Sequence, residues 1–271
     1  MALLVRSWNL FQGNTVPPQR EARLAEMVQL ASADGPDVLC LQEVPVWAVG
    51  RLEAWSGMQA LSDVATPPRI GPLPCTPALG RTLTAAHPGV LRSLFAGQAN
   101  AVLVSPRLRP VVRQALVLNS RSFRNAQARW LGLPLVARLA WAKERRVCQA
   151  IRVGLPDGTT LLVANLHATS YRPDERLPDA ELLRAAVFAD ALARPAEPCV
   201  LAGDFNVRAS RSWTLAELVK PEWGFSAPGP GIDHVLVRGA PSGPVESWTD
   251  ERRRRDALLL SDHAPVEVRV G

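Results

Sequence analysis

Short apolar runs rich in β-branched residues recur along the whole chain and limit the folds open to it. Several are bounded by Gly, Pro or Asp, which commonly stand at strand ends. The predicted strands cover residues 3–6, 38–41, 101–104, 111–117, 147–153, 161–164, 199–202, 234–237 and 266–270. So many separate strands must pair into sheets, and the segments between them decide how those sheets are covered.

Two of the intervening segments have helical patterns. Residues 20–32 place Leu24, Met27 and Val28 largely on one face, and residues 179–194 begin with Asp179 as the expected N-cap. Residues 66–90 are rich in Pro and Gly and are predicted to form a long loop. Residues 120–146 interleave Arg with Trp130 and Trp141, and we expect a helical insertion near a phosphate-binding cleft. Strands mixed with a few helices indicate α/β or α+β layering.

Length and hydropathy favour a single domain spanning residues 1–271, with 47% hydrophobic residues to build its core. No uninterrupted apolar run is long enough to span a bilayer, and no secretory signal precedes the first strand. We therefore expect a cytoplasmic location. Cys40, Cys148 and Cys199 lie in apolar runs and Cys75 in the proline-rich segment, so all four are predicted to be reduced and structural.

The net charge of +6 favours partners that carry phosphate, such as DNA or RNA, because a positive surface concentrates polyanions. The arginine-rich stretches 121–129 and 252–255 could contact a nucleic-acid backbone. Two alternatives stay open: that the arginine bias reflects genome composition, and that residues 251–256 form a solvated loop. No obligate protein partner is expected.

Polar side chains of the types that bind metal or phosphate stand at the ends of six apolar runs. They are Asn9, Glu43, His167, Asp204, Asn206, Asp233, Asp262 and His263. Groups held on strand ends need little reorganisation to bind a ligand. Taken singly, each has a structural explanation; Asp204 could close an Asx-turn and Glu43 could be a solvated strand end. Their joint order favours a common site.

The motifs W-N (8–9), L-Q-E (41–43), G-x-x-N-A-V-L (97–103), N-x-H (165–167), G-D-F-N (203–206), I-D-H (232–234) and S-D-H-A-P (261–265) resemble, in this order, the endonuclease/exonuclease/phosphatase superfamily. That group includes deoxyribonuclease I, AP endonucleases, sphingomyelinases and inositol polyphosphate 5-phosphatases. The resemblance implies a deoxyribonuclease I-like four-layer α/β sandwich, with two mixed β-sheets packed face to face and helices outside. It covers nearly the whole chain.

The resemblance also implies a divalent cation. Glu43 matches the family's principal metal-binding carboxylate, assisted by Asn9 and Asp262. Oxygen ligands of this kind suit Mg²⁺ or Mn²⁺.

Catalytic roles follow from the same resemblance. Asp233 would orient His263, and Asp204 would align or deprotonate the attacking water. Asn206 would donate to a non-bridging phosphate oxygen, while His167 would donate to the phosphate or assist the leaving group. For substrate binding, Arg146 lies near a phosphate-contacting position of some members. Asn100 occupies a family-typical position where a structural role in holding a loop is the alternative.

The predicted activity is metal-dependent hydrolysis of a phosphodiester by in-line attack of water, with a nuclease favoured. The residues 231–236 lack the inositol phosphatase signature, and Tyr171 follows His167 instead of occupying the AP endonuclease position. A small-molecule or lipid phosphodiesterase or phosphatase with the same site is the alternative. A binding protein without catalysis is less expected, because every key position holds the required residue type.

Overall fold

All the predicted strands form in the computed structural model, which describes residues 2–70, 73–86 and 95–271. The strands are β1 Leu3–Asn9, β2 Thr15–Val16, β3 Val38–Val44, β4 Gln59–Thr66, β5 Arg69–Ile70, β6 Leu73–Pro74, β7 Gln98–Val104, β8 Arg109–Val117, β9 Val147–Gly154, β10 Thr160–His167, β11 Cys199–Asp204, β12 Asp233–Arg238, β13 Glu246–Ser247, β14 Arg254–Arg255, β15 Leu258–Leu260 and β16 Val266–Val270. The α-helices are α1 Leu24–Ser32, α2 Leu52–Ser56, α3 Pro77–Ala86, α4 Arg121–Trp130, α5 Leu135–Lys143, α6 Arg176–Leu192 and α7 Trp213–Leu218. Two 3₁₀ helices cover Phe11–Gly13 and Val46–Arg51.

The strands form two main sheets. One has the order β13-β16-β1-β3-β7-β4 and the other β12-β11-β10-β9-β8. The pairs β1–β3 and β10–β11 are parallel and the other neighbours are antiparallel, so both sheets are mixed. Two small sheets, β14-β15-β2 and β5-β6, lie outside them.

Side-chain alternation along each strand produces the layers. In β3, Val38 and Cys40 pack into the core between the sheets, whereas Leu39 and Leu41 pack with the buried face of α1. In β10, Val163 joins the central core, while its neighbours on the opposite face pack with α6. The chain is therefore a four-layer α/β sandwich with helices outside two mixed sheets, as predicted.

The helix boundaries differ from the predicted ones. Helix α1 begins at Leu24, which is the first residue of the predicted segment 20–32 whose side chain is buried. Helix α6 begins three residues before Asp179, so the prediction of Asp179 as its N-cap is wrong. The Asp179 carboxylate instead accepts hydrogen bonds from the Ser212 hydroxyl and the Thr214 amide, at the start of α7.

The two segments of irregular composition have different outcomes. The predicted loop over residues 66–90 is partly wrong, because it contains the β5–β6 hairpin and α3; residues 71–72 and 87–90 lie outside the described residues. Helix α3 begins at Pro77, where the missing N–H of proline costs nothing. The helical prediction for residues 120–146 is confirmed by α4 and α5. Strand β4 was not predicted because its mixed polar sequence lacks a buried run.

The cysteine prediction is confirmed for the three strand residues. Cys40, Cys148 and Cys199 are free and buried, and Cys75 is free and half-buried. In the part of the chain that the structure describes, no helix has the length and apolar character needed to cross a membrane.

Candidate active site

The polar residues at the strand ends occupy neighbouring register positions. His167 lies beside Asp204 across β10 and β11, and Asp204 lies opposite Asp233 across β11 and β12. Asn9 ends β1 in the other sheet, and its amide nitrogen donates to Asp204 Oδ2 at 2.9 Å. The two sheets therefore bring their polar ends together at one edge of the sandwich.

His263 and Asp233 form the predicted pair. The distance from His263 Nδ1 to Asp233 Oδ2 is 2.7 Å. The backbone of His263 is held on both sides, since its N–H donates to Ser261 Oγ at 3.1 Å and its carbonyl accepts from Trp8 Nε1 at 2.9 Å. Burial lowers the pKa of His263, but the negative charges of Asp204 and Asp233 outweigh it and raise this pKa to about 10. The ring is therefore an imidazolium at neutral pH.

Asp204 lies buried at the centre of the site. Its Oδ2 is 3.5 Å from His167 Nε2 and 3.9 Å from His263 Nε2. Burial, together with the charge of Asp233, raises the pKa of Asp204 to about 6. Its Oδ1 accepts from the Asn206 N–H at 3.1 Å, which is the Asx-turn considered from the sequence. Asp204 thus closes a turn and faces both histidines.

Glu43 lies next to Asp204, and Asn9 bridges the two carboxylates. The Asn9 amide nitrogen is 3.4 Å from Glu43 Oε1, while its Oδ1 accepts from the Phe11 N–H at 2.9 Å. Burial, with a contribution from the charge of Asp204, raises the pKa of Glu43 to about 7. An amide oxygen has two lone pairs, so this single hydrogen bond is compatible with the predicted contact between Asn9 and a cation.

His167 differs from His263 in its charge state. Arg146 Nη1 lies 3.0 Å from Nδ1 and 3.2 Å from Nε2 of the buried His167 ring. Burial, followed by the positive charges of Arg146 and His263, holds the pKa of His167 well below its usual value. This ring is therefore neutral at neutral pH. Arg146 is anchored by Glu144 Oε2 at 2.7 Å and Gln98 Oε1 at 3.2 Å.

The other three predicted residues are Asp262, Asn206 and Asn100. Asp262 is exposed, with Oδ1 3.9 Å from His263 Nε2. The amide of Asn206 donates to the Ala168 carbonyl at 3.0 Å. Asn100 is buried and donates to the Val147 carbonyl at 3.0 Å, across the two sheets. This contact fits the structural alternative for Asn100 and leaves its amide nitrogen engaged.

Left-handed backbone conformations turn the chain at three of the strand ends. Glu43, Asn206 and Ser261 have φ values of 53°, 53° and 62°. Such conformations cost about 1 kcal/mol or more for residues other than glycine, and they cluster at functional sites. Ser261 also donates from Oγ to the Asn9 carbonyl at 2.7 Å, so it ties β1 to the turn that carries His263.

The donor set fits a divalent cation. One ligand atom from each of Asp204, Asp233 and His263 lies within 4.8 Å of the others, and Oδ1 of Asp233 is buried with no hydrogen-bond partner. Glu43 adds a further, half-buried carboxylate beside Asp204. Carboxylate oxygens are the preferred protein ligands of Mg²⁺ and Mn²⁺. His263 is cationic and Asp233 engages its Nδ1, so this ring is not a cation ligand, and the predicted carboxylates of Glu43 and Asp262 remain the expected ligands.

Some residues of the site were not predicted. Gln98 and Glu144 position Arg146, and Ser261 and Trp8 position His263. Ser261 and Trp8 lie within recognised motifs, so their places in those motifs were the available signal. Glu144 has no signal in the sequence beyond its charge.

The site combines one buried and two half-buried carboxylates, a charged imidazole and a buried arginine, which are groups suited to binding a metal ion and a phosphate. The model of the endonuclease/exonuclease/phosphatase family matches residues 7–263. The chain therefore belongs to the endonuclease/exonuclease/phosphatase family. Members of this family are generally hydrolytic phosphoesterases, typically dependent on a divalent metal.

Solved structures share the fold at low sequence identity. An endonuclease/exonuclease/phosphatase from Bacteroides vulgatus has a TM-score of 0.68 and 13% identity, covering 100% of this chain and 99% of that one. A functionally unknown conserved protein from Enterococcus faecalis has a TM-score of 0.66 and 17% identity, covering 99% of each chain. TDP2 from Caenorhabditis elegans has a TM-score of 0.61 and 17% identity, covering 100% of this chain and 75% of that one. No curated protein matches the sequence significantly.

Proposed function

We propose that this chain hydrolyses a phosphodiester by in-line attack of water, with Mg²⁺ or Mn²⁺, and that its favoured substrate is a nucleic acid. The observation that carries the proposal is the meeting of the His263–Asp233 pair with the buried carboxylate of Asp204. The two groups lie 3.9 Å apart, from His263 Nε2 to Asp204 Oδ2. A cationic donor next to a carboxylate can hold a phosphoryl oxygen and a water molecule side by side.

Each residue has a role consistent with its charge. His263, as an imidazolium, donates to a phosphoryl oxygen, and Asp233 fixes its ring. Asp204 has a pKa of about 6, so it is ionised at neutral pH and can align the attacking water or accept its proton. The neutral His167 donates to the phosphate or the leaving group. Asn206 serves as a neutral donor.

Glu43 would hold the cation, with Asp262 at the exposed side and Asn9 fixing the position of the Glu43 carboxylate. When bound, a divalent cation polarises phosphoryl oxygens and neutralises negative charge in the transition state. Its charge would also offset that of Glu43 and Asp204, whose pKa values are raised by burial. Arg146 supplies a second positive charge beside His167.

A test of metal dependence uses bis-p-nitrophenyl phosphate as substrate. We expect EDTA to abolish hydrolysis and added Mg²⁺ or Mn²⁺ to restore it. Glu43→Gln keeps the side-chain shape and removes one charge, so it should weaken the affinity for Mg²⁺ or Mn²⁺ by about 10-fold or more. The metal concentration needed for half-maximal hydrolysis measures this change. Glu222→Gln, at an exposed position, is the control. Full activity in EDTA would show that the cation assignment is wrong.

The substrate is tested separately with plasmid DNA, oligonucleotides with and without an abasic site, RNA and sphingomyelin. The net charge of +6 favours the nucleic acids. If sphingomyelin is hydrolysed and the nucleic acids are not, the same site acts on lipid phosphodiesters. If only bis-p-nitrophenyl phosphate is hydrolysed, the site acts on small-molecule phosphodiesters. Absence of hydrolysis with every substrate and metal would support a binding protein.

A further inference from the structure

The positive charge of this chain is concentrated in one segment. Residues 121–146 contain seven Arg and Lys residues and one Glu, a formal charge of +6. The whole chain also has a net charge of +6, so the remainder is formally neutral. Helices α4 and α5 and the turn between them contain no acidic residue at all. Among their cations, Arg121, Arg129, Arg138 and Lys143 are exposed.

The same helices expose large apolar side chains. Trp130, Leu135, Val136 and Leu139 are between 63% and 79% exposed. The opposite face of the pair is anchored, because Ala128, Ala137 and Trp141 are buried against Leu177 of α6. The exposed apolar residues are therefore not needed to hold the helices in place. Contiguous exposed apolar surface commonly marks an interaction site.

The apolar surface continues beyond α4. A groove of about 670 Å³ separates α4 from α6 and α7, and Trp130, Leu183, Val187 and Trp213 line it. Trp213 is 83% exposed. Two exposed tryptophans therefore stand on the walls of one groove, beside the exposed apolar face of α5.

This surface is connected to the candidate active site. Trp141 of α5 donates from Nε1 to Glu181 Oε1 at 2.5 Å, and Glu181 Oε2 accepts from the Thr169 N–H at 2.6 Å. Thr169 follows His167 by two residues, and the end of α5 leads directly into Arg146. The surface thus lies alongside the His167 and Arg146 side of the site.

We infer that α4, α5 and the adjoining groove form a surface that binds an anionic lipid bilayer. Helices that lie in a membrane interface combine exposed Trp and Leu with Arg and Lys, as this pair does. Each cation near an anionic bilayer adds to binding. A nucleic-acid backbone would engage the cations but would leave Leu135, Val136 and Leu139 in water. The inference does not depend on the proposed hydrolysis, but it assigns to a bilayer the positive charge that otherwise favours a nucleic-acid substrate.

Vesicle co-sedimentation with the full chain tests the inference. We expect binding to phosphatidylcholine vesicles that contain phosphatidylglycerol, and little binding to phosphatidylcholine alone. Trp130→Ser with Leu139→Ser, and separately Arg129→Gln with Arg138→Gln, should each weaken binding at least about tenfold. Val111→Ser and Arg109→Gln are matched controls, because both residues are exposed near the start of β8 and should retain binding. Circular dichroism checks that each variant is folded.

A second measurement needs no polar substitution. Brominated lipids should quench tryptophan fluorescence in the wild type, and Trp130→Phe should remove a large part of that quenching. Absence of wild-type binding to anionic vesicles, or equal binding by all variants, would overturn the inference. The inference would also be overturned if Arg129→Gln with Arg138→Gln weakened binding to duplex DNA while Trp130→Ser with Leu139→Ser left binding to vesicles unchanged. That result would assign the surface to nucleic acid.

Discussion

Individual residues of the site owe their charge to their neighbours. His263 has a pKa of about 10 because two carboxylates face it, whereas the pKa of His167 is lowered by burial and by Arg146. One ring is therefore a cation at neutral pH and the other is neutral. The two histidines are suited to different steps and cannot substitute for each other.

The pairing of His263 with Asp233 can be tested by a double-mutant cycle. His263→Ala should lower turnover by at least about 10²-fold, the low end for loss of a proton-transfer group. Asp233→Asn should cause a large share of that loss, and the double variant should be little worse than His263→Ala alone, since the two act as a unit. Steady-state kinetics with bis-p-nitrophenyl phosphate measure all four forms. Additive losses would show that the residues act independently.

At the scale of elements, strand pairing brings the site residues together. β10 and β11 lie close enough at Gly203 that an added Cβ would stand 1.9 Å from the Leu166 carbonyl oxygen. Gly203 also has a φ of 142°, which residues with side chains rarely adopt. The glycine of the G-D-F-N motif is thus required for the pairing that sets His167 beside Asp204.

Gly203→Ala should separate these strands. We expect destabilisation of more than about 3 kcal/mol, a fall of roughly 10 °C in unfolding temperature, and loss of activity. Gly243→Ala is the matched control, because nothing lies within 4 Å of its added Cβ. Thermal unfolding followed by circular dichroism measures both. Equal unfolding temperatures for the two variants would contradict the close approach.

A buried ion pair joins the strands at the other end of the same sheet. Glu197 accepts from Arg152 Nε at 2.7 Å, from Thr160 Oγ1 at 2.5 Å and from the Arg194 N–H at 2.9 Å. Burial raises the pKa of Glu197, but these donors outweigh it and lower the pKa from 4.5 to about 2. A carboxylate with a lowered folded-state pKa stabilises the protein above its unfolded pKa, and this contribution is lost as the pH falls.

Glu197→Gln should therefore destabilise the chain at neutral pH by on the order of 2 kcal/mol. The difference from wild type should narrow as the pH falls from about 4.5 towards 2, because the protonated glutamic acid resembles glutamine. Urea unfolding across this pH range measures the difference in the free energy of unfolding, and Glu246→Gln, at an exposed position, is the control. A difference that stays constant with pH would exclude the ion pair as its cause.

At the scale of the whole molecule, a buried amide connects the two sheets. Asn165 of β10 donates to the carbonyls of Leu41 at 3.1 Å and Ala101 at 3.0 Å, in β3 and β7. Its oxygen accepts from Gln42 Nε2 at 2.8 Å. Gln42 precedes Glu43, and Asn165 lies two residues before His167. Asn165 therefore fixes how the two halves of the site face each other.

Asn165→Leu should leave two buried carbonyls and the Gln42 amide without this partner. We expect a loss of about 3 kcal/mol or more in the free energy of unfolding, because unpaired buried polar groups keep their desolvation cost. Gln114→Leu, an exposed amide on β8, is the control. Urea unfolding measures stability, and hydrolysis of bis-p-nitrophenyl phosphate reports the alignment of the sheets. Unchanged stability would show that the bridge is dispensable.

The sequence alone determined nine of the strands, the two main helical segments, the family and most of the residues that meet at the site. Burial and alternation leave local patterns, and the motifs are contiguous, so both can be recognised without a fold. It did not determine the strand ends, because β1, β3, β10 and β11 continue into polar residues that pair only with neighbouring strands.

Only the tertiary structure decided the charges of His167 and His263, the direction of the Asn9 amide and the left-handed conformations of Glu43 and Asn206. The charges and the Asn9 amide depend on atoms contributed by strands distant in sequence, as when Asp204 meets Asn9 across 195 positions. Electric fields and hydrogen bonds act through space, so the sequence could name these residues but could not give their protonation or orientation.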